Sequence, residues 1–247
     1  MKRPIGPRSK PDLSKIENTS QGLGQGQRNL AVKVKTAKRR KIASTQWLER
    51  QLNDPYVAEA KRLGYRGRAA FKLLELDERL KFLKPNSRIV DLGCAPGGWL
   101  QVMSNRCKSG QIVGIDLQEI EPVPGTLSVV GDVRDSDDME RIRDLLLGPV
   151  DAVVSDMAAA STGHSQTDHM RVMHLITISY EFARKVLRPG GLFLAKTLRG
   201  GSDNELLADL KLSFERVRHV KPKSSRDDSK ETFLVCERFR GSNSEAG

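Results

Sequence analysis

The sequence has little of what builds a stapled, secreted or membrane-bound protein. Three cysteines occur in 247 residues, Cys94, Cys107 and Cys236, and none stands in CxxC spacing. Neither a disulfide framework nor a zinc site is indicated, and a reduced, cytoplasmic protein is expected. Histidine is equally sparse. His164, His169 and His174 are spaced by five, and successive members of such a series lie about 140° apart around a helix, which argues against a metal triad. No apolar run reaches the roughly 18 residues that span a bilayer, and no apolar segment follows the N-terminal charges. Membrane insertion and secretion are therefore not expected, while an Arg-rich organellar transit peptide and a basic RNA-binding tail fit the first 40 residues equally well. Aromatic residues make up 5% of the chain, and Trp47, Tyr56 and Tyr65 read as helix-packing residues.

Positive charge is abundant instead. The formal net charge is +11 and the isoelectric point about 9.7, which suits a polyanionic partner. Its distribution is uneven. Residues 1–44 hold twelve Lys or Arg against Asp12 and Glu17, leaving 30 basic and 29 acidic residues in the rest of the chain. The same stretch is rich in Gly, Gln, Ser and Pro, with too few large apolar side chains to offset the entropy of ordering. A disordered basic arm over 1–44 is expected, then one domain over 45–240 and a short flexible tail over 241–247.

Within that domain the pattern alternates. Residues 44–64 and 68–82 read as two helices ahead of a sheet. Strands are expected at 88–91, 111–116, 127–130, 151–155, 192–197, 216–220 and 231–240, with helices at 99–106, 137–147, 167–187 and 204–213. Pro189-Gly190-Gly191 stops the long helix before the fifth strand. Such alternation predicts an α/β, doubly wound, mostly parallel sheet, with an antiparallel edge where the last two strands follow one another without a helix.

In open α/β sheets ligands bind beyond the C-terminal ends of the strands, where strand order reverses. DLGCAPGGW (91–99) occupies the first strand-to-helix turn, and Gly93, Gly97 and Gly98 would let the backbone approach a ligand closely. Asp91 can meet an amino group. Asp116 ends the next strand, where a carboxylate can take both ribose hydroxyls, and Asp132 follows the third, within reach of an exocyclic amine. Each aspartate alone would read as a cap or turn residue; three at successive strand ends indicate a nucleoside site.

From Arg66 to Arg240 the chain resembles the FtsJ/RrmJ-type (RlmE-like) ribosomal RNA 2′-O-methyltransferases. RAAFKLLEL (68–76), DLGCAPGGW (91–99), GID (114–116), GDVRD (131–135), VVSDMA (153–158), VLRPGGLFLAK (186–196) and KPKSSRDDSKE (221–231) carry the resemblance. It implies a Rossmann-like fold, S-adenosyl-L-methionine as cofactor, and Gly97, Trp99, Asp116, Asp132 and Asp156 as its contacts. It also implies a Lys-Asp-Lys-Glu group of Lys72, Asp156, Lys196 and Glu231, acting on a uridine in the A loop of large-subunit ribosomal RNA. In that group Lys196 is given the central role, taking the 2′-hydroxyl proton or stabilising the developing alkoxide.

The residues themselves weigh unevenly. Lys72 alone reads as the solvated face of a helix and Glu231 as an edge charge. Lys196 ends the apolar run 192–195 and Asp156 follows 153–155, where a charge is costly without a partner. Cys94 reads as packing. The family's Asp-Met-Ala-Pro-Asn is here Asp156-Met157-Ala158-Ala159-Ala160, a change at the substrate entrance. Arg66, Arg68, Lys221, Lys223 and Arg226 flank the group and are candidate phosphate contacts. A methyltransferase of small molecules or proteins, and a non-catalytic RNA-binding assembly factor, are the competing readings. The first has little use for a polybasic extension, and the intact acids and glycines disfavour the second.

Deleting residues 1–44 is expected to lower RNA affinity and flatten its salt dependence while leaving cofactor affinity intact. Filter binding across a salt series checks this, and an unchanged slope would remove the arm from the RNA interface.

Overall fold

A computed structural model describes residues 42–159, 162–199, 204–226 and 228–241. The expected disorder of residues 1–41 and of the tail beyond Gly241 lies outside these described residues. The chain divides into two compact units, one ending at Tyr65 and the other running from Arg66.

The first unit contains α1 (Ile42–Leu52) and α2 (Pro55–Leu63). Helix α1 thus begins within the stretch read as arm. Sequence periodicity suggested one helix across 44–64, but the chain breaks at Asp54. Its carboxylate accepts the backbone N–H of Tyr56 at 3.0 Å, and Pro55 fills the first helical position, where a missing N–H costs nothing.

The second unit opens with α3 (Ala69–Leu80) and continues through β1 (Arg88–Leu92), α4 (Gly98–Arg106), β2 (Gln111–Asp116), β3 (Leu127–Val130) and α5 (Ser136–Leu145). Then follow β4 (Val150–Ser155), α6 (Ser165–Val186), β5 (Leu187–Leu198), α7 (Asn204–Ser213), β6 (Phe214–Val220) and β7 (Glu231–Phe239). The sheet order is β3-β2-β1-β4-β5-β7-β6, and strands β1 to β5 are parallel neighbours. β7 enters antiparallel to both β5 and β6, so the antiparallel pairing closes one end of the sheet with β6 outermost. This is the doubly wound, Rossmann-like α/β sheet. The chain winds outward from β1 through β2 and β3, then returns to β4 on the other side of β1. The resulting switch point sets the loop after β1 beside the end of β4.

One local departure concerns Pro189-Gly190-Gly191. Helix α6 does stop just before it, at Val186, but β5 resumes at once: Leu187 pairs with Val150 and Leu192 with Ala152. The four residues between them bulge opposite Asp151. Its carboxylate holds the bulge by accepting Nε–H of Arg188 at 2.8 Å and the N–H of Arg88 at 2.7 Å.

Strands β1, β2, β4 and β5 are buried on both faces and contribute Val90, Leu92, Val113, Ile115, Val153 and Phe193 to the main core. Phe193, Phe214, Phe239 and Tyr180 pack there with ring centroids 5.2–6.4 Å apart. All three cysteines are buried and free. Among the described residues no helix is long and apolar enough to cross a membrane.

Phe193 is fully buried in the aromatic cluster, against Tyr180 and Phe214. Phe193→Ala is expected to destabilise the protein by about 3–5 kcal/mol through lost transfer energy and an unfilled cavity, measured by urea unfolding. A loss below about 1 kcal/mol would mean that the cluster collapses around the gap.

Candidate active site

The switch point gathers acids. Asp91 lies in β1 and is 1% exposed, yet neither carboxylate oxygen has a hydrogen-bond partner. Burial, and then the nearby charges of Asp156 and Asp116, push its carboxyl well above the usual range. A buried, unpartnered acid beside a glycine loop fits a cationic ligand that would pair with it. Asp116 ends β2. One of its oxygens accepts the N–H of Ala95 and the other that of Gln118, each at 2.9 Å, so it fastens the glycine loop to the loop after β2. Each oxygen keeps a lone pair for a hydroxyl. Asp132 follows β3 and is clasped by the guanidinium of Arg134 at 2.5–3.0 Å, which holds its carboxyl below the usual range.

The loop glycines serve neighbours that the sequence did not suggest. Gly93 has φ +82°, and a Cβ there would stand 2.3 Å from Cγ of Met157. Gly97 has φ +101°, and its Cβ would stand 2.6 Å from Nη1 of Arg66. Both glycines therefore admit protein side chains that close over the loop. Trp99, expected as a cofactor contact, is 3% exposed and donates its indole N–H to the Ala69 carbonyl at 2.8 Å. Its ring packs against Phe233, which fixes α3 against α4 and β7.

That packing matters because α3 carries Lys72. The Lys72 ammonium donates to Glu231 at 2.8–2.9 Å and stands 3.6 Å from Asp156. Asp156 in turn lies 3.0 Å from the Lys196 ammonium, which also donates to the Asp156 backbone carbonyl. The order is Glu231, Lys72, Asp156, Lys196, alternating in sign, with side chains only 11–18% exposed. Strand pairing builds this arrangement. Ser155 pairs with Ala195, which sets Asp156 beside Lys196, and Leu198 pairs with Glu231 across β5 and β7. Burial raises the Glu231 carboxyl, but the charge and hydrogen bond of Lys72, the Ser225 hydroxyl at 2.8 Å and the charge of Lys196 outweigh it and hold it below the usual range. All four residues singled out from scattered segments come together.

The flanking basic residues divide into two kinds. Arg66 donates to three backbone carbonyls, Arg68 to the Ser224 carbonyl and Lys221 to that of Ser229 at 2.8 Å. Lys223 is exposed, as are Lys230 and Arg199, which meet through the bond from the Arg199 N–H to the Lys230 carbonyl. Sequence reasoning missed Glu75, whose carboxylate accepts the Ser224 N–H at 3.0 Å, and Ser225. Glu75 sits in the motif with Lys72, three residues on, so it shares that helix face.

The sequence model of FtsJ-like methyltransferases matches residues 65–239. This chain belongs to the FtsJ-like methyltransferase family. It is accordingly a methyltransferase. Over 230 residues it is 53% identical to the Ribosomal RNA large subunit methyltransferase E of Paramagnetospirillum magneticum, covering 91% of this chain and 94% of that relative. The protein of the same name from Parvibaculum lavamentivorans is 53% identical over 227 residues, covering 87% and 89%. A Plasmodium falciparum crystal structure assigned as a ribosomal RNA methyltransferase superposes with a TM-score of 0.62 at 34% identity, covering 72% of this chain and 100% of that one.

The raised carboxyl of Asp91 has a cost in the unliganded protein. The folded state favours the protonated acid, so stability falls as pH rises from the ordinary aspartate value of 3.8 to the raised folded value, and stays lower above it. Unliganded Asp91→Asn is expected to lose less stability than the unsubstituted protein across that window, as read by thermal unfolding over a pH series. Parallel curves would show that Asp91 is solvated or paired.

Proposed function

We propose that this FtsJ-like methyltransferase transfers the methyl group of S-adenosyl-L-methionine to the 2′-hydroxyl of a uridine in the A loop of large-subunit ribosomal RNA. The observation that carries the reading is the alternating chain of Glu231, Lys72, Asp156 and Lys196 standing beside the acids of the switch point. Its relatives' shared name supports a ribosomal RNA substrate, and the exposed Lys223, Lys230 and Arg199 supply cations for phosphates near the reacting nucleotide.

Bound S-adenosyl-L-methionine would supply an electrophilic methyl group. Asp91 would face the cofactor's amino group and Asp116 its ribose hydroxyls. Asp132 would exchange its contact with Arg134 for the adenine edge, while Gly93 and Gly97 shape the loop. Trp99 acts by holding α3, and with it Lys72, against the site. Lys196 then orients the 2′-oxygen and either, as the neutral amine, receives its proton or, as the ammonium, stabilises the charge that develops there. Asp156, paired with both lysines, fixes where the Lys196 ammonium stands, and Glu231 restrains Lys72 from the other side. In this scheme residues 45–240 are the catalytic domain and residues 1–44 a basic RNA-binding extension, and the protein acts in the cytoplasm.

Single-turnover kinetics and cofactor titration test the division of labour. Asp116→Ala is expected to weaken cofactor binding about tenfold or more, since two hydrogen bonds to a charged group are lost. Lys196→Arg keeps the charge but cannot accept the proton, and should slow transfer by about 10²–10⁴ if Lys196 is the base, with cofactor affinity preserved. Near-normal transfer by Lys196→Arg would eliminate the base and leave the orienting role. Equal loss of cofactor affinity in both variants would contradict the assignment.

A further inference from the structure

Arg66 precedes α3 and has the charge expected of a phosphate contact, but its guanidinium is already committed. Nη1 donates to the carbonyls of Pro96 at 3.1 Å and Glu121 at 2.5 Å, and Nη2 to that of Pro122 at 3.0 Å. Its backbone N–H is held as well, by the side-chain oxygen of Gln101 in α4 at 2.9 Å. Three bonds from one planar fork thus tie the glycine loop to the middle of the segment 117–126 that follows β2. Gly97 is the position that makes room for this fork.

We infer that Arg66 is a positioning residue for the cofactor: it clasps the two loops that flank the nucleoside cleft and sets their separation. Asp116 fastens the same two loops at their roots, through Ala95 and Gln118. Beyond Gln118 the segment runs outward, with Leu117 63% exposed and Glu119 and Glu121 also exposed. It is caught again at Pro124, whose carbonyl accepts the Ser104 hydroxyl. Arg66 supplies the side-chain bonds to Glu121 and Pro122 in between. A lysine cannot replace it, because one ammonium on a flexible stem does not present the fixed fork that reaches three carbonyls in two loops. The inference rests on the S-adenosyl-L-methionine reading of the cleft.

The full-length protein and its Arg66→Ala and Arg66→Lys variants test the clasp by three measurements. In hydrogen exchange of the unliganded proteins, the hydrogen-bonded amides of the two clasped loops, Ala95, Gly97 and Gln118, should exchange faster in both variants. The KM for S-adenosyl-L-methionine should rise about tenfold, with kcat at saturating cofactor changing less than about twofold, as expected for loss of charge-assisted bonds that act on binding alone. RNA affinity and its salt slope should stay unchanged, and Arg66→Lys should not rescue the KM. Unchanged exchange at Ala95, Gly97 and Gln118 overturns the clasp. So does a fall in RNA affinity and salt slope in Arg66→Ala that Arg66→Lys restores, since that pattern belongs to a phosphate contact. If the unsubstituted protein failed to bind S-adenosyl-L-methionine, the proposed function would fall, and the exchange measurement would still decide whether Arg66 holds the loop.

Discussion

The carboxylate of Asp156, held between the ammonium groups of Lys72 and Lys196, is the contact on which the site depends. It joins a helix ahead of the sheet, the end of β4 and the end of β5, and through Lys72 it reaches Glu231 on β7. Four charges this little exposed are tolerable only as a set. Desolvation opposes each of them, and removing one partner leaves another charge buried without compensation. The arrangement therefore depends on the packing that brings its members together: parallel pairing of β4 with β5, antiparallel entry of β7, and Trp99 of α4 held against α3 and Phe233.

Next to this compensated group stands an uncompensated one. Asp91 feels the charges of both Asp156 and Asp116 and has no partner of its own. An excess of negative charge in a buried cleft is unfavourable until a cation arrives, which couples the stability of the empty site to ligand binding. The two groups share Asp156 electrostatically. The residue that orders the lysines also contributes to the field into which a positively charged cofactor would be drawn, which under the proposed function would link binding to reaction through one side chain.

Much of this was legible in the sequence, for physical reasons that differ by feature. Strand and helix alternation is written in local periodicity, and Asp91, Asp116 and Asp132 stand at strand ends as that periodicity places them. Lys72 and Glu231 carried no local signal at all. Only resemblance grouped them with Asp156 and Lys196, because their pairing spans 159 residues of sequence. The break between α1 and α2 was readable but missed: Asn-Asp-Pro is a cap and helix start, overlooked because apolar spacing runs through it. Gly93 and Gly97 were credited to ligand approach, and the structure adds that Met157 and Arg66 stand beside them. That contact, like the bond from Arg68 to Ser224, depends on which distant loops the fold brings together, and no local pattern encodes it.

The most direct measurement is the fate of a labelled methyl group. Full-length protein is incubated with methyl-labelled S-adenosyl-L-methionine and undermethylated large ribosomal subunits, and the label is mapped by alkaline hydrolysis and nucleoside analysis. The expected result is label on one uridine of the A loop, on the ribose, with the adjacent phosphodiester resistant to alkali because its 2′-oxygen is blocked. Label on a nucleobase, on protein or on a small molecule, or no transfer to any ribosomal RNA, would contradict the reading of the tetrad as a 2′-O-methylation site.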